Sequence, residues 1–360
     1  MVDGDVVAAA VRVNREVLAG QVASELPILP DVEPAPWRGM GPYGQGGTGM
    51  TGGVPYGRPM AELAPDRDGL RLDVLPLRIG PFLPGLPTGL LLDIGWAGDV
   101  VVAASVGSGV SWTGASRPPR DVRPLLRPFI RALTEPVSVA ELEMARARDH
   151  LRWLADALVI HGLPALAGRV LRLVATLSPA HAGKVRDLAE VISRSQILRW
   201  SAGGVGRVDP RRLSGLAVGP VARSAGLRED SRLEDPSYRG LGFEPLATDR
   251  VDAAGRWRYR WAEAVQSLEL SGRAGDIRTE PSGRVESPRG LLERGSAPSA
   301  RLLALLPSLL EGSSWGDAVT TIVSLDLDLE EIAAVGDGTT ATDAEASAET
   351  GDVSAPPRAA

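Results

Sequence analysis

The clearest helical pattern lies in the middle of the chain, where apolar residues recur every three or four positions. They stand at i, i+4, i+7 and i+11, which places them on one face of an α-helix. The four positions are Ala147, Leu151, Leu154 and Leu158. Ser138 and Glu141 have the spacing of a capping box at the start, and Gly162 ends the pattern. The sequence therefore predicts a helix over residues 137–161.

Similar periodicity continues downstream. Pro164 suits the first turn of a second helix, and Trp257, Trp261, Val265 and Leu268 share one face of a later helix. The predicted helices cover residues 164–177, 181–200, 256–270 and 301–311, with a further apolar segment over 315–324.

A different pattern precedes the helices. Residues 70–75 are mostly apolar, and residues 89–94 and 99–106 form two more apolar stretches separated by the turn-like sequence Gly95-Trp96-Ala97-Gly98. This spacing predicts a small β unit containing a hairpin. Together the two patterns predict an α+β fold, with a small N-terminal β-hairpin module and a helical bundle core with irregular loops.

Composition divides the chain further. The region from residue 27 onward is so rich in Pro and Gly that it cannot bury enough apolar surface to offset the entropy of ordering it. The predicted segments are a strand and short helix at 1–26, a Pro/Gly-rich flexible segment at 27–68, a small β module at 69–118, a helical bundle with irregular loops at 119–335 and a disordered tail at 336–360.

Composition also limits the chemistry. Hydrophobic residues make up 44% of the 360 positions, which is enough for a sizeable core. There is no Cys, so disulfides, thiolate metal sites, iron–sulfur ligation and cysteine nucleophiles are excluded. The net charge of −6 disfavours broad binding to nucleic acid or anionic membranes. No run of about 18 apolar residues and no secretory signal occur, so we expect a cytoplasmic protein without a transmembrane segment.

Two patterns resemble binding motifs, and neither has the context that its motif requires. Gly39, Gly41 and Gly44 have the spacing of a dinucleotide-binding loop, but no strand precedes them and no helical pattern follows, so we do not expect a dinucleotide site. His150 and His161 share a helix face but stand eleven residues apart, about 16 Å of helical rise, which is too far for one metal ion. We expect structural roles for both histidines.

Two charged patterns also have structural interpretations. The helix over 256–270 interleaves Arg with aromatic residues, but helical spacing turns its Trp residues inward and places Arg256 and Arg260 alongside, with Glu263 able to pair with Arg260 or Tyr259. In the second pattern acids alternate with Leu, which predicts one solvated face of a strand or helix. Its members are Asp326, Asp328, Glu330 and Glu331.

Four short strings follow one another in the order of a known family's motifs. They are GPFLP at 80–84 with GDVVVAASVG at 98–107, AELEMARARDHLRWLADALVIHGLP at 140–164, the stretch at 196–238 that contains GPVARSAG, and ESPRG at 286–290 with SLLEGSSWGDAVTTIVSLDLDLEEI at 308–332. Together they resemble the hydrogenase-like subunit of respiratory NADH-quinone oxidoreductase, whose family is related to the large subunit of nickel–iron hydrogenases. The resemblance implies a divergent and shortened protein with a hydrogenase-large-subunit-like fold.

Several positions depart from that family. Its first loop carries two histidines at the mouth of the quinone pocket, where this chain has Leu83 and Pro87. A Leu can neither hydrogen-bond a quinone carbonyl nor relay a proton. The hydrogenase branch holds nickel and iron with four cysteines, and this chain has none. The resemblance therefore implies no directly bound cofactor or metal and no catalytic residue, with quinone expected only at the level of a complex.

The resemblance also marks positions equivalent to the quinone pocket. They are Leu83, Pro87, Arg223, Arg289 and Asp326. In the family the segments around Arg223 and Arg289 wrap the pocket region. A buried Arg there needs a carboxylate partner, for which Asp326 and Asp328 are candidates, while a surface or loop-fixing role for either Arg remains open.

Three functional hypotheses follow. The favoured one is a structural or coupling subunit of a membrane-associated complex related to NADH-quinone oxidoreductase or energy-converting hydrogenase. It expects iron–sulfur and membrane-arm subunits as partners, no nucleic acid, no independent catalysis and a peripheral location on the cytoplasmic face of the cell membrane. The second is a subunit that still contributes to quinone reduction through a rearranged pocket. The third is a free-standing assembly or binding protein.

Overall fold

The computed structural model describes most of the chain from residue 62 onward. The described residues are 62–107, 123–194 and 196–336, together with the single positions Arg12 and Arg15. The predicted strand and helix at 1–26, most of the predicted flexible segment at 27–68 and nearly all of the predicted tail at 336–360 lie outside them. The chain divides into two units, Met1–Leu75 and Pro76–Ala360, which are described separately.

In the first unit two short strands form an antiparallel pair. They are β1 (Leu63–Pro65) and β2 (Arg71–Asp73). The connecting turn is closed by Asp66, whose side-chain Oδ1 accepts hydrogen bonds from the amides of Asp68 and Leu70, both at 2.9 Å. Asp side chains favour such turns because they satisfy nearby backbone donors. Strand β1 therefore lies within the last residues of the segment predicted to be flexible.

The predicted hairpin is confirmed. Strands β3 (Leu75–Ile79), β4 (Leu92–Ala97) and β5 (Val100–Val106) form one sheet in that order, with β4 antiparallel to β5. Gly98 provides the positive φ, 62°, that the tight turn requires. The inner side of this sheet packs against a later helix. The buried residues of that contact include Leu92, Ile94 and Val101 with Leu302, Leu306 and Leu310.

The remainder of the second unit is largely helical. Its helices are α1 (Arg127–Ala132), α2 (Val139–Ile160), α3 (Pro164–Ala175), α4 (Ala182–Arg194), α5 (Ile197–Ala202), α6 (Pro210–Leu213), α7 (Gly219–Ser224), α8 (Ala253–Ala274), α9 (Pro298–Leu310), α10 (Trp315–Leu325) and α11 (Leu329–Val335). Among these described helices, none combines the length and the apolar character that crossing a bilayer requires. A small β module joined to packed helices confirms the predicted α+β fold.

Helices α2 and α8 form the centre of the bundle and run antiparallel. The predicted apolar stripe of α2 is buried throughout, with Ala147, Leu151, Leu154 and Leu158 at most 2% exposed. It packs against α3, α4 and the Trp side of α8. Burying each of the three Leu side chains stabilises the fold by about 1.5–3 kcal/mol.

The capping box predicted for α2 is not formed. The side chain of Ser138 makes no hydrogen bond to the helix start. Glu141 turns away and pairs with Arg131, with 3.1 Å between Oε1 and Nη1. The amide of Val139 donates instead to the carbonyl of Ile277, at 3.0 Å. A tertiary contact therefore satisfies one free donor at the start of α2, although not one of the two donors that a capping box would satisfy.

A further segment differs from the prediction. The helix predicted over 181–200 is interrupted, because Gln196 adopts a positive φ of 58° between α4 and α5. A non-glycine residue in the left-handed region cannot continue a right-handed helix. The region between α5 and α8 is mainly irregular but includes α6 and α7. Between α8 and α9 two short strands, β6 (Arg284–Ser287) and β7 (Gly290–Glu293), form an antiparallel pair.

Candidate functional site: a buried ion cluster

Both central helices bury a polar stripe beside their apolar one. On α2 the stripe includes Glu143, Arg146 and His150, at i, i+3 and i+7. On α8 it includes Arg260 and Glu263, at i and i+3. All five side chains are at most 1% exposed. Because charged groups are almost never fully buried unless they are paired, these stripes mark the most unusual site of the protein.

Segments outside the two helices complete the site, which we name the buried ion cluster. They are α7, the turns that follow it, strand β6 with its following turn, and the segment between α10 and α11. The members of the cluster are Glu143, Arg146, Asp149, His150, Arg223, Asp230, Arg232, Arg260, Glu263, Glu286, Arg289, Asp326 and Asp328.

Arg223, on α7, occupies the middle of one half of the cluster. Its Nη1 lies 2.7 Å from Oε1 of Glu286 and 2.9 Å from Oδ2 of Asp230, and its Nη2 lies 3.0 Å from Oε1 of Glu263. Its Nε donates to the hydroxyl of Tyr259, at 2.6 Å. The fork of guanidinium donors suits this arrangement, since one Arg can satisfy several acceptors at fixed angles. Arg223 thereby joins α7, α8, β6 and a loop.

Arg232 extends this half toward α2. Its Nη2 lies 2.8 Å from both Oδ2 of Asp230 and Oε1 of Glu263, and its Nη1 lies 3.3 Å from Oε1 of Glu143. The hydroxyl of Tyr238 donates to the same Glu143 oxygen, at 2.7 Å. Two arginines therefore share Glu263 and Asp230, which distributes the charge over several elements.

His150 links the two halves through its two ring nitrogens. Nη1 of Arg260 lies 3.0 Å from Nδ1, and Nε2 lies 3.1 Å from Oε2 of Glu263. An Arg can only donate, so Nδ1 must be the acceptor and the ring proton must reside on Nε2, facing the carboxylate. Burial lowers the pKa of His150 and outweighs the opposing effect of Glu263. The ring is therefore neutral at pH 7.

The second half is built around Asp326 and Arg289. Oδ2 of Asp326 lies 2.9 Å from Nη1 of Arg260, and its Oδ1 lies 3.2 Å from Nη2 of Arg289. Arg289 also faces Asp328 and Asp149, each at 3.4 Å. Asp326 adopts the left-handed conformation, with φ of 54°, at the end of α10. From that turn its side chain contacts both Arg260 and Arg289.

The solvated face predicted for the acids of this segment is wrong for three of them. Asp326, Asp328 and Glu331 are at most 7% exposed. Glu331 accepts hydrogen bonds from the hydroxyls of Ser287 at 3.0 Å and Ser299 at 2.7 Å. Burial raises the pKa of Glu331, and these hydroxyls with nearby Arg289 offset that effect only in part. Alternation of acid and Leu does not distinguish a solvated face from one that meets buried arginines.

Every carboxylate of the cluster forms an ion pair with an arginine, while Nε and Nη2 of Arg260 have no hydrogen-bond partner among the described residues. Burial alone would raise the pKa of Glu263, but Arg223, His150 and Arg232 hold it well below its usual value. Burial is likewise outweighed at Glu143 by Arg146 and Arg232, so its pKa is lowered. These carboxylates stay ionised at neutral pH, and His150 stays neutral. A general acid or base needs a pKa near the working pH and access to its substrate, so these groups suit an architectural role.

The structure unites some of the predicted site residues and separates others. Arg289 and Asp326 are in contact, as predicted for a buried Arg with a carboxylate partner. Arg223 is also buried, but Asp230, Glu263 and Glu286 are its carboxylate partners rather than Asp326 or Asp328.

Leu83 and Pro87 lie elsewhere, in the loop between β3 and β4. Leu83 is 40% exposed and Pro87 is half-buried. The loop approaches the end of α2, where a Cβ added to Gly85 would lie 3.3 Å from the side chain of Ile160. Ile160 is ten residues beyond His150, or about 15 Å along the helix. Neither loop residue offers a side-chain hydrogen-bond donor or acceptor for a quinone.

Several members of the cluster carry no distinctive signal in the sequence. Glu143 and Arg146 follow the i, i+3 spacing beside an apolar stripe, which is equally typical of a solvated helix face. Asp230 and Arg232 lie in a loop without periodicity. Glu263 is predicted to pair with Arg260 or Tyr259, but its partners are Arg223, Arg232 and His150. These charged residues can be told apart from ordinary solvated ones only in the folded structure, where the segments that carry them meet.

The residues present do not fit a nickel–iron centre. Such a centre is held by cysteine thiolates, and the sequence contains no Cys. Within residues 62–107, 123–194 and 196–336, no group of three His, Asp or Glu side chains is arranged to hold a metal ion. The carboxylates of the cluster are instead engaged by arginines.

Comparison with known proteins agrees with this fold. The family described as "Respiratory-chain NADH dehydrogenase, 49 Kd subunit" matches residues 162–294. A chain of a solved structure, titled "Structure of the membrane-bound sulfane sulfur reductase (MBS), an archaeal respiratory membrane complex", matches with a TM-score of 0.51 and 19% identity. The match covers 72% of this chain and 98% of that chain. No curated protein matches.

These matches confirm the resemblance predicted from the sequence. The family match includes the segments that carry Arg223, Arg232, Glu263 and Glu286. The structural match extends the likeness of fold to nearly the whole of the archaeal chain.

Proposed function

We propose that this chain, a divergent protein similar to the hydrogenase-like subunit of NADH-quinone oxidoreductase, is a structural subunit of a membrane-associated redox complex. It holds neighbouring subunits in place on the cytoplasmic face of the membrane and contributes no redox group of its own. Iron–sulfur and membrane-arm subunits are its proposed partners, and any quinone binds at the level of the assembled complex.

The observation that carries this proposal is the buried ion cluster. Its charges are paired with one another, and its His, Glu and Arg side chains are at most 4% exposed. Breaking one partner of such a buried pair is strongly unfavourable, so the cluster fixes the relative positions of the helices and loops that it joins. A rigid framework of this kind suits a subunit whose task is to present surfaces to others.

The loop between β3 and β4 supports contact with a partner. It exposes two large apolar side chains in succession, Phe82 at 44% and Leu83 at 40%. The loop is held by local hydrogen bonds, including the amide of Gly89 to the carbonyl of Pro81 at 3.0 Å. Exposed apolar groups on an ordered loop are typical of a protein–protein contact.

The test is the composition of the assembly. The full chain, tagged at one end, is purified from membranes of its native host in mild detergent, and its partners are quantified by mass spectrometry. We expect iron–sulfur and membrane-embedded redox subunits in stoichiometric amounts. Recovery of the chain alone, in the fraction free of membranes, would contradict the proposal.

A matched pair of variants makes this test specific. Leu83→Asp places a charge on the exposed loop and is expected to reduce recovery of the partners. Arg169→Asp changes an exposed residue of α3 and is expected to leave recovery unchanged. Both variants alter exposed side chains, so neither should change the fold.

A further inference from the structure

A surface groove of about 710 Å³ lies between α4 and α8. Ala189 of α4 and Trp261, Ala262 and Val265 of α8 line it, and Leu246 contributes from the preceding loop. On α8 these positions follow i, i+1 and i+4 spacing, so they present one continuous strip. The groove therefore has an apolar floor on an exposed side of the bundle.

The long sides of the groove are lined by charges that already have partners. Arg186 pairs with Glu269, and Arg194 pairs with Glu190, each at 2.9 Å. On α8 the lining runs from residue 258 to residue 269. Eleven residues correspond to about 16 Å of helix. The rim thus offers an occupant little unpaired charge along this length.

A second cavity of about 490 Å³ continues from one end of the groove. Gln196 and Arg258 line both cavities, and Arg199 and Arg250 line the second one alone. Within the described part of the chain, none of these three arginines is paired with a carboxylate. Asp252 also lines this cavity. Its oxygens accept hydrogen bonds from the amides of Gly204 and Gly255. Against the effect of burial, these amides, with nearby Arg256 and Arg250, lower the pKa of its carboxyl.

The cationic cavity depends on close backbone packing. A Cβ added to Gly255 would lie 2.3 Å from Cβ of Arg250, and one added to Gly203 would lie 2.3 Å from the carbonyl oxygen of Arg199. Gly255 thereby allows the segment of Arg250 to lie against the start of α8, and Gly203 allows the tight turn that ends α5 four residues after Arg199. Trp200, the neighbour of Arg199, is 85% exposed.

We propose that the two cavities together bind one anionic phospholipid. An acyl chain lies along the apolar groove, and the phosphate lies against Arg199, Arg250 and Arg258. Arginine is well suited to phosphate because its planar fork donates two parallel hydrogen bonds. Trp200 follows Arg199 in the chain and is exposed, and Trp is a residue enriched at membrane–water interfaces.

The shape of the site favours a lipid over a partner helix. A lipid separates its charge and its apolar chain at opposite ends, as these cavities do. A helix laid in a groove carries polar groups along its whole length, and here the charges along the rim are already paired. The groove also matches an acyl chain in length, because one leaflet contributes about half of the ~30 Å hydrocarbon core. This inference is independent of the proposed function.

The test measures binding of oleoyl lysophosphatidic acid to the purified full chain by titration calorimetry, below the critical micelle concentration of the lipid. We expect saturable binding. Replacing the three arginines together (Arg199→Gln, Arg250→Gln and Arg258→Gln) should weaken it at least about thirtyfold, since each charged hydrogen bond contributes more than a neutral one. Ala262→Phe should fill the groove and weaken it at least about tenfold.

The controls distinguish the contribution of the phosphate from that of the acyl chain. Arg169→Gln, on exposed α3, should bind like the unaltered chain. Inorganic phosphate and oleoyl lysophosphatidylcholine should each bind much more weakly than lysophosphatidic acid. Circular dichroism and urea unfolding verify that the variants fold, and Ala262→Phe tests the groove without touching the arginines.

Three results would overturn the proposal. The first is no saturable binding by the unaltered chain. The second is binding that the triple arginine variant and Ala262→Phe leave unchanged, or that inorganic phosphate reproduces. The third is a dimer in analytical ultracentrifugation that Ala262→Phe dissociates, because the groove would then be occupied by a second copy of the chain.

Discussion

At the scale of single residues, the buried ion cluster makes each of its members sensitive to loss of a partner. Arg223 is the strongest case, because three carboxylates depend on it. A buried ion pair contributes little net stability compared with an apolar replacement, but an unpaired buried charge is strongly unfavourable. The loss of stability on substitution therefore depends mainly on how many buried charges lose their partner.

Arg223→Met is expected to lower the free energy of unfolding by about 3–5 kcal/mol, since Glu263, Glu286 and Asp230 lose a shared cation. Urea unfolding followed by circular dichroism measures it. Arg169→Met, on exposed α3, serves as the control and should change stability by less than about 0.5 kcal/mol. Equal effects of the two substitutions would show that Arg223 is not embedded in the cluster.

Because His150 is buried, we expect the free energy of unfolding to depend on pH in a specific way. Its pKa in the folded chain lies below the ordinary value of 6.5, so the stability it contributes is present above that pH and is lost as pH falls toward the folded pKa. Glu263 acts at lower pH, because its folded pKa lies well below its ordinary value of 4.5. His150→Gln should therefore show a smaller loss of stability than the unaltered chain between about pH 7 and pH 5.

Unfolding free energies at closely spaced pH values test this prediction. Gln preserves a donor and an acceptor near Glu263 and Arg260 but does not titrate. Parallel pH profiles for the two proteins would mean that His150 is not held neutral by burial.

The sequence indicates some of these residues but not their pairing. Arg289 and Asp326 are identifiable because segments resembling a known family carry them. Arg232 and Asp230 have no such signal, since a charged loop is usually solvated. Partner choice at Arg223 depends on where β6 and α8 place Glu286 and Glu263, and no spacing along the chain encodes that convergence.

At the scale of elements, the cluster requires two backbone segments to lie unusually close together. The turn before α7 crosses the start of β7, where the amide of Leu291 donates to the carbonyl of Ala217, at 3.0 Å. A Cβ added to Gly290 would lie 2.2 Å from that carbonyl oxygen. Gly290 also has a φ of 135°, which side-chain-bearing residues rarely adopt. This crossing brings the segments of Arg223 and Arg289 together.

Gly290→Ala should consequently lower the free energy of unfolding by at least about 2 kcal/mol, through the clash and the disfavoured φ. Gly240→Ala is the matched control, because a Cβ at Gly240 meets no atom within 4 Å. Urea unfolding of the three proteins makes the comparison. A near-neutral Gly290→Ala would mean that the crossing can relax without cost.

The sequence predicts a helix well where one face of it is apolar. It predicts helix ends and breaks poorly where tertiary contacts determine them. The stripes of α2 and α8 identify both helices to within a few residues at most ends. The break at Gln196 escapes prediction, because a positive φ at a non-glycine residue has no local signal. The sequence assigns the cap of α2 to Ser138, but the Ser138 side chain makes no capping bond, and the carbonyl of Ile277 accepts from the amide of Val139.

At the scale of the whole molecule, the second unit combines apolar clusters with a core of paired charges. The fold resembles that of a chain in an archaeal respiratory membrane complex, and the chemistry that this chain's own residues allow is limited. No thiol is present, neither Leu83 nor Pro87 carries a polar side-chain group, and acids of the core such as Glu263 and Asp326 are engaged by arginines. We propose that the chain keeps this fold as a structural framework and supplies no redox group of its own.

Metal content of the purified full chain, measured by inductively coupled plasma mass spectrometry, tests this claim most directly. A structural zinc, nickel or iron centre would require a set of ligands that converge on one point. We predict well under one transition-metal ion per chain after purification without chelators. Nickel, iron or another transition metal recovered in a stoichiometric amount would contradict the account.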